Sequence, residues 1–266
     1  MVTDRNRQHP ARPAGFDGLS AAEQQRVRAV LRETNNLAYS YAAALIIAAP
    51  PSVGGVVNHG SGIIMRLGQD HFFLTAEHIV RTWYDRYATD KSVMLHLAAP
   101  NGAAQFTAED RLVFYDREAD IAALRVTAEE ARSVGTFVYV PQSWPPPAPT
   151  VGEMVYIAGF PLEGRITLSP KRFELRAFNL GTPVSSVAER NFKCVFERAE
   201  WISESGVTTD LAPGFLGGVS GGPIFAMRGL IPIPVLVGTV YEHDAAYDIL
   251  IASRWSHIPV SRFKAA

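Results

Sequence analysis

A single cysteine, Cys194, stands in the 266-residue sequence, so no disulfide can close within it. That excludes a bridge-stapled scaffold and suits a reducing compartment. Cys194 alternates with Phe192 and Phe196, a pattern that predicts a core position rather than a reactive thiol. Charge of one sign is also lacking: 25 basic against 26 acidic residues leave a net charge of −1. Without a basic excess there is no electrostatic case for a nucleic-acid partner. Long apolar runs are missing too. The longest, 41–51, ends in Pro50-Pro51 and falls short of the roughly 20 residues that cross a bilayer, so no membrane partner is expected. The opening MVTDRNRQHPARPAGFDG is polar and has no apolar segment of the kind a secretory leader carries. Together these absences predict a cytoplasmic protein, with a bacterial or phage source. His, Cys and carboxylates do not recur at ligand spacing, so neither a metal nor another cofactor is expected.

What is present is a chain of short β-type runs behind one helix. Residues 1–18 read as a flexible arm. Ser20 followed by Glu23 has the form of a capping box, and the helix it opens is expected to end near Asn35-Asn36. Strands are then predicted over Ala42–Ala48, 61–67, 71–75, 93–97, 111–115 and Ile121–Val126, separated by Gly, Pro, Asn or Asp. A hairpin turn is expected at Leu67-Gly68-Gln69-Asp70. The stretch PQSWPPPAP, residues 141–149, holds five prolines in nine positions, which no sheet interior accepts; it reads as a semi-rigid spacer. Beyond it, strands are predicted over 154–158, 173–178, 193–196, 223–227, 235–240 and 248–252, with a short terminal helix over 255–263. The domain organisation read from this is an arm and helix (1–38), a first β-unit (39–140), the linker (141–150) and a second β-unit (151–266). Many short strands with regular turns point to an all-β barrel or sandwich architecture.

Three segments carry chemistry. In Gly218-Val219-Ser220-Gly221-Gly222-Pro223, glycines on both sides permit a tight turn that leaves the Ser220 hydroxyl accessible. The same turn lets backbone N–H groups converge, with Gly218 and Ser220 as oxyanion donors worth about 3–4 kcal/mol each. A serine hydroxyl is a poor nucleophile without a base that titrates near the working pH, and His78 in Leu74-Thr75-Ala76-Glu77-His78 is placed just past a strand end. Asp120, directly before the apolar strand that starts at Ile121, can hold an imidazole in one tautomer and stabilise its protonated form. Each segment alone has a bland reading: a glycine hairpin, one of seven histidines, an acid at a strand edge.

Taken together, in the order His, Asp, Ser with the linker between Asp120 and Ser220, they resemble the trypsin-like (chymotrypsin-fold) serine peptidase superfamily in its bacterial-type form. The resemblance rests on Thr75-Ala76-x-His78, Asp120-Ile121-Ala122 and Gly218-x-Ser220-Gly221-Gly222-Pro223, and spans about residues 40–255. Val155 to Pro161, VYIAGFP, is similar to the strand and Gly-x-Pro turn that open the second barrel in bacterial members. It implies an all-β fold of two antiparallel six-stranded barrels with a short N-terminal helix. It also implies a serine endopeptidase acting on a protein or peptide substrate through an acyl-enzyme, with catalytic His78, Asp120 and Ser220. By the same alignment the primary pocket floor falls at Gly214 and Phe215, and the strand with Tyr241 and Glu242 lines the substrate cleft, where Glu242 or His243 either tunes the pocket or is a solvated strand end. No acid stands at 214–215, so a preference for Lys or Arg is not supported.

Two positions depart from the family pattern. Val219 stands where digestive members carry the acid that pairs with a freed N-terminus, so that activation cannot operate here. The oxyanion hole then forms without it, or on partner or substrate binding. Glu77 lies inside the histidine motif and reads as an exposed glutamate. Three rival readings remain. An α/β-hydrolase needs its acid and histidine after the serine, in alternating strands and helices, which this chain does not offer. A non-catalytic binding module on a protease fold is the second. The third is a gated protease effector in a larger assembly, with a partner protein docked through the N-terminal helix; the plainer alternative packs that helix on the barrel surface.

Overall fold

The computed structural model describes residues 18–49, 56–106, 109–169, 172–196, 216–244 and 249–264. The first element is a helix, α1 (Ala21–Ser40), opened by a complete capping box: Glu23 N–H donates to Ser20 Oγ while the Glu23 carboxylate accepts from Ser20 N–H. It runs five residues past Asn35 because its last turns are packed, with Asn35 and Ala38 buried and Tyr39 set 5.9 Å from the Phe160 ring. Its neighbours are strands of the second unit.

The first unit comprises β1 (Ala42–Ala48), β2 (Val56–Leu67), β3 (Asp70–Thr75), α2 (Glu77–Thr89), β4 (Met94–Ala99), β5 (Gly102–Phe106), β6 (Leu112–Asp116), β7 (Ile121–Val126) and α3 (Ala128–Val134). Its strands form one antiparallel sheet in the order β5-β4-β1-β2-β3-β7-β6. Seven strands stand where six were expected. The additional one, β5, is Gly-Ala-Ala-Gln-Phe, whose small residues give almost no strand signal; the hairpin with β4 around Pro100-Asn101 supplies the pairing. The hairpin at Gly68-Gln69 is as read, with Gly68 at φ 63°.

Side-chain alternation explains why β1 reads as an unbroken apolar run, AAALIIA. Leu45 and Ile47 join a cluster with Ile64, Phe73 and Leu124 that α2 covers through Ile79, Val80 and Trp83. Ala44 and Ile46 face the other way, joining Ile63, Phe72 and Leu74 against Phe160, Phe225, Leu236 and Trp255 of the second unit. Both faces of the sheet are therefore buried, so neither face needed a polar residue.

The second unit holds β8 (Met154–Gly159), β9 (Arg165–Ser169), β10 (Arg172–Leu175), β11 (Phe178–Val187), β12 (Asn191–Val195), β13 (Pro223–Arg228), β14 (Ile233–Asp244) and β15 (Ile249–Arg254). Six of these close into an antiparallel barrel, β11-β12-β15-β14-β13-β8, while β9 and β10 pair as a separate hairpin. The strand expected over 173–178 is thus split between β10 and the start of β11. Inside the barrel lies a third cluster, Val155, Ile157, Phe192, Cys194, Val219, Ile224 and Val237 among its members. Cys194 is fully buried there, and burial pushes its thiol up to about 12. The fold is mostly β, with a closed six-stranded barrel, a large antiparallel sheet and an N-terminal helix, in keeping with the chymotrypsin-like class.

The proline-rich stretch is held to the second unit. Trp144 Nε1–H donates to Ile258 O at 2.8 Å, and its ring meets Trp255 and Phe263. Arg228 binds Glu153 and donates to Ala148 O at 2.9 Å. The terminal helix shrinks to one 3-10 turn, Val260–Phe263, since Pro259 ends what precedes it. No helix among the described residues is long and apolar enough to cross a membrane.

Candidate functional site

His78 is the second residue of α2, a helix absent from the sequence-based expectation. Its apolar positions Ile79, Val80 and Trp83 have helical spacing, but Ala76 at the N-cap has no side chain that can cap. The ring and backbone of His78 both meet Asp120. Asp120 Oδ1 accepts from His78 N–H at 2.9 Å, and Asp120 Oδ2 lies 2.7 Å from His78 Nδ1. An ionised carboxylate only accepts, so Nδ1 carries the proton and Nε2 offers a lone pair. Asp120 is buried, whereas 36% of the His78 side chain remains exposed. Asp120 also has φ 50°, the one non-glycine residue with positive φ among the described residues. That conformation costs on the order of 1–3 kcal/mol and persists only where surrounding contacts over-determine it.

Ser220 sits between two tight turns. Val219 N–H donates to Leu216 O at 3.0 Å, closing a turn whose third residue, Gly218, has φ 87°. This is the type II pattern, which requires glycine or asparagine at that position. Gly222 N–H then donates to Val219 O at 2.8 Å, with Gly221 at φ 82°. Within this loop Gly217 O accepts from Leu162 N–H at 2.6 Å. A trans peptide carries its N–H opposite its carbonyl, so the Gly218 N–H points away from Leu162. Among the described residues, no backbone carbonyl takes up the N–H of Gly218 or of Ser220.

The loop rests on the first unit. Ser61 N–H donates to Ser220 O at 2.9 Å, and Ser61 Oγ donates to Gly218 O at 2.7 Å while accepting from Phe160 N–H at 2.9 Å. Thr75 Oγ1 donates to Ser61 O at 2.7 Å. A Cβ on Gly221 would come within 2.6 Å of Ala76 N, two residues before His78. Thr75 enters the sequence reading only as part of the histidine motif, and Ser61 and Leu162 have no part in its site; they act through contacts between residues separated in the chain, for which one sequence holds no local signal.

His78 and Ser220 line the same cleft, about 440 Å³ in volume, together with Leu216, Gly217, Val240, Tyr241, Glu242 and His243. Of the four residues expected in the substrate pocket, Tyr241 and Glu242 line this cleft, and Gly214 and Phe215 lie outside the described residues. Register pairing of β13 with β14 ends at Thr239, and Tyr241 and Glu242 beyond it line the cleft. No group of three or more His, Cys, Asp or Glu among the described residues is arranged to hold a metal ion.

Beneath the serine loop lies His59, buried on β2. Its Nε2–H donates to Phe160 O at 2.9 Å, and burial pushes its pKa below the ordinary histidine range, with Arg165 adding to the shift and Glu163 opposing it. The unfolded chain takes up this proton near pH 6.5. The folded state resists it, so stability from this site is present above that pH and is lost as pH falls toward the lower folded value. Burial lowers His71, His96 and His257 as well, so the useful comparison is between variants. A His59→Gln variant is expected to show a flatter fall in melting temperature from pH 7 to pH 5 than the wild type. Parallel curves would rule this out.

Comparison with known proteins shows the family of the chain. The trypsin-like peptidase domain family matches residues 60–231. No curated protein matches the chain. Among solved structures, one described with the intrinsically disordered Sesbania mosaic virus VPg protein is 14% identical, covers 84% of this chain and 91% of its own, and superposes with a TM-score of 0.45.

Proposed function

Since the chain belongs to the trypsin-like peptidase domain family, we propose that it is a serine endopeptidase in which Ser220 is the nucleophile, His78 the base and then the acid, and Asp120 the group that orients the imidazole. The observation that carries this reading is the doubly bonded His78–Asp120 pair opening onto the cleft that also contains Ser220. In the proposed reaction His78 Nε2 takes the Ser220 hydroxyl proton as Ser220 Oγ bonds to the scissile carbonyl carbon. The carbonyl oxygen becomes an oxyanion that accepts from the N–H groups of Gly218 and Ser220. His78 then gives its proton to the leaving amine, the C–N bond breaks and an acyl-enzyme remains. Water, deprotonated by His78, attacks the ester and releases the acid, restoring Ser220.

Val219 supports a hole that needs no freed N-terminus. It is fully buried among the barrel's apolar residues, so packing holds the position where an ion pair would otherwise act. Tyr241 and Glu242 of β14, which line the cleft beside Ser220, support binding of an extended peptide along that strand. With Cys194 as its one cysteine, the chain is suited to work in a reducing, cytoplasmic setting.

Labelling by a fluorophosphonate probe tests the assignment. The wild type is expected to be modified at Ser220, and Ser220→Ala and His78→Ala are expected to resist. A wild type that stays unlabelled would favour the non-catalytic binding module instead.

A further inference from the structure

Glu77 stands directly before His78 and opens α2. As the residue between a peptidase-like base and its strand it read as an exposed glutamate; the structure corrects this, with 5% of the residue accessible. A carboxylate that buried must be paired. Glu77 Oε1 accepts from Arg117 Nε at 3.3 Å, and Glu77 Oε2 lies 3.4 Å from Arg81 Nη1, one turn along the same helix. Arg117 belongs to a different segment, the turn from Asp116 to Asp120. The Glu77–Arg117 pair therefore joins the same two pieces of chain as the His78–Asp120 pair.

That turn is braced on its other sides by independent contacts. Asp116 Oδ1 accepts from Glu118 N–H and Ala119 N–H, each at 3.0 Å. From the second unit, Ser253 Oγ donates to Ala119 O, and Arg190 pairs with Asp116 and Glu118. Besides the two His78–Asp120 bonds themselves, the contact that ties the turn to α2 next to the imidazole is Arg117 with Glu77. Because the arginine side chains are largely exposed, the pair adds little to global stability. Its position matters more than its strength.

We infer that Glu77 is a positioning residue which, through Arg117, holds the turn carrying Asp120 against the start of α2, so that one carboxylate meets both the N–H and the ring of His78. A plain alternative is that Glu77 only complements the positive end of α2. That role would lower the melting temperature and leave the His78–Asp120 hydrogen bond untouched.

The test uses the full chain with Glu77→Gln, Arg117→Gln and the double variant. Three quantities are read: the NMR resonance of the proton shared by His78 Nδ1 and Asp120, kcat and KM on a peptide ester, and thermal melting. Each single variant is expected to move or broaden the shared-proton resonance and to lower kcat about 10- to 100-fold with KM within about twofold. The double variant is expected to be no worse than either single one, because both remove the same contact. An unchanged resonance in both folded single variants, or effects that multiply in the double variant, would overturn the inference. Arg117 is 64% exposed on its side chain, so Arg117→Gln serves even if the Glu77 variant does not fold. The kinetic arm rests on the peptidase reading. The resonance does not, so a wild type with the shared proton but no turnover would reject that reading while leaving this one decided.

Discussion

An Asp120→Asn variant is expected to lose about four orders of magnitude in kcat, with KM and melting temperature near the wild-type values. The reason lies in the two bonds Asp120 makes. Oδ1 accepts from the backbone N–H of His78, which can only donate, so the amide oxygen of asparagine must stay on that side. Its NH2 group then faces His78 Nδ1, where the carboxylate had accepted. A donor there turns the imidazole to the tautomer with its proton on Nε2. That nitrogen can no longer take a proton from Ser220, while the shape of the site is kept. Steady-state kinetics with a matched melting curve are the measurement. A fall of less than tenfold in a well-folded variant would remove Asp120 from its proposed role.

For Gly218→Ala the expected loss is about 10²- to 10³-fold in kcat, the scale of one oxyanion donor. Gly218 has φ 87°, and an added Cβ would lie 2.7 Å from both His59 Nε2 and Phe160 O, and 3.1 Å from Leu162 N. Two of these are backbone atoms, so the turn must give way rather than its surroundings. What moves is the peptide whose carbonyl Leu162 holds and whose N–H is the proposed donor. The variant should still fold, since the left-handed strain of one residue costs about 1–2 kcal/mol. Retained turnover in Gly218→Ala would show that this N–H is not part of the hole.

Local patterns made much of the architecture legible. The capping box at Ser20 and Glu23, the Gly68-Gln69 hairpin, and the apolar runs of β1 and β7 all formed as read. Signals of the same kind bound α3, where Thr127 with Glu130 is a second capping box and Gly135 a left-handed C-cap. Other elements had no such signal. β5 is made of small residues, and α2 starts without a capping side chain. The expected termination of α1 at Asn35 failed because packing against the second unit outweighs the propensity of one residue.

By itself the sequence determined which residues could act and which turns could form. A positive φ at Gly218 and Gly221, and alternation along a strand, are properties of a few neighbouring residues, so they can be read one segment at a time. Tertiary structure alone decided what each group meets. Ser61 beneath Ser220, Leu162 holding the Gly217 carbonyl, and the burial of Glu77 against Arg117 all join residues far apart in the chain. Whether a carboxylate is solvated or enclosed depends on where its partner lies in space, and no local period encodes that distance.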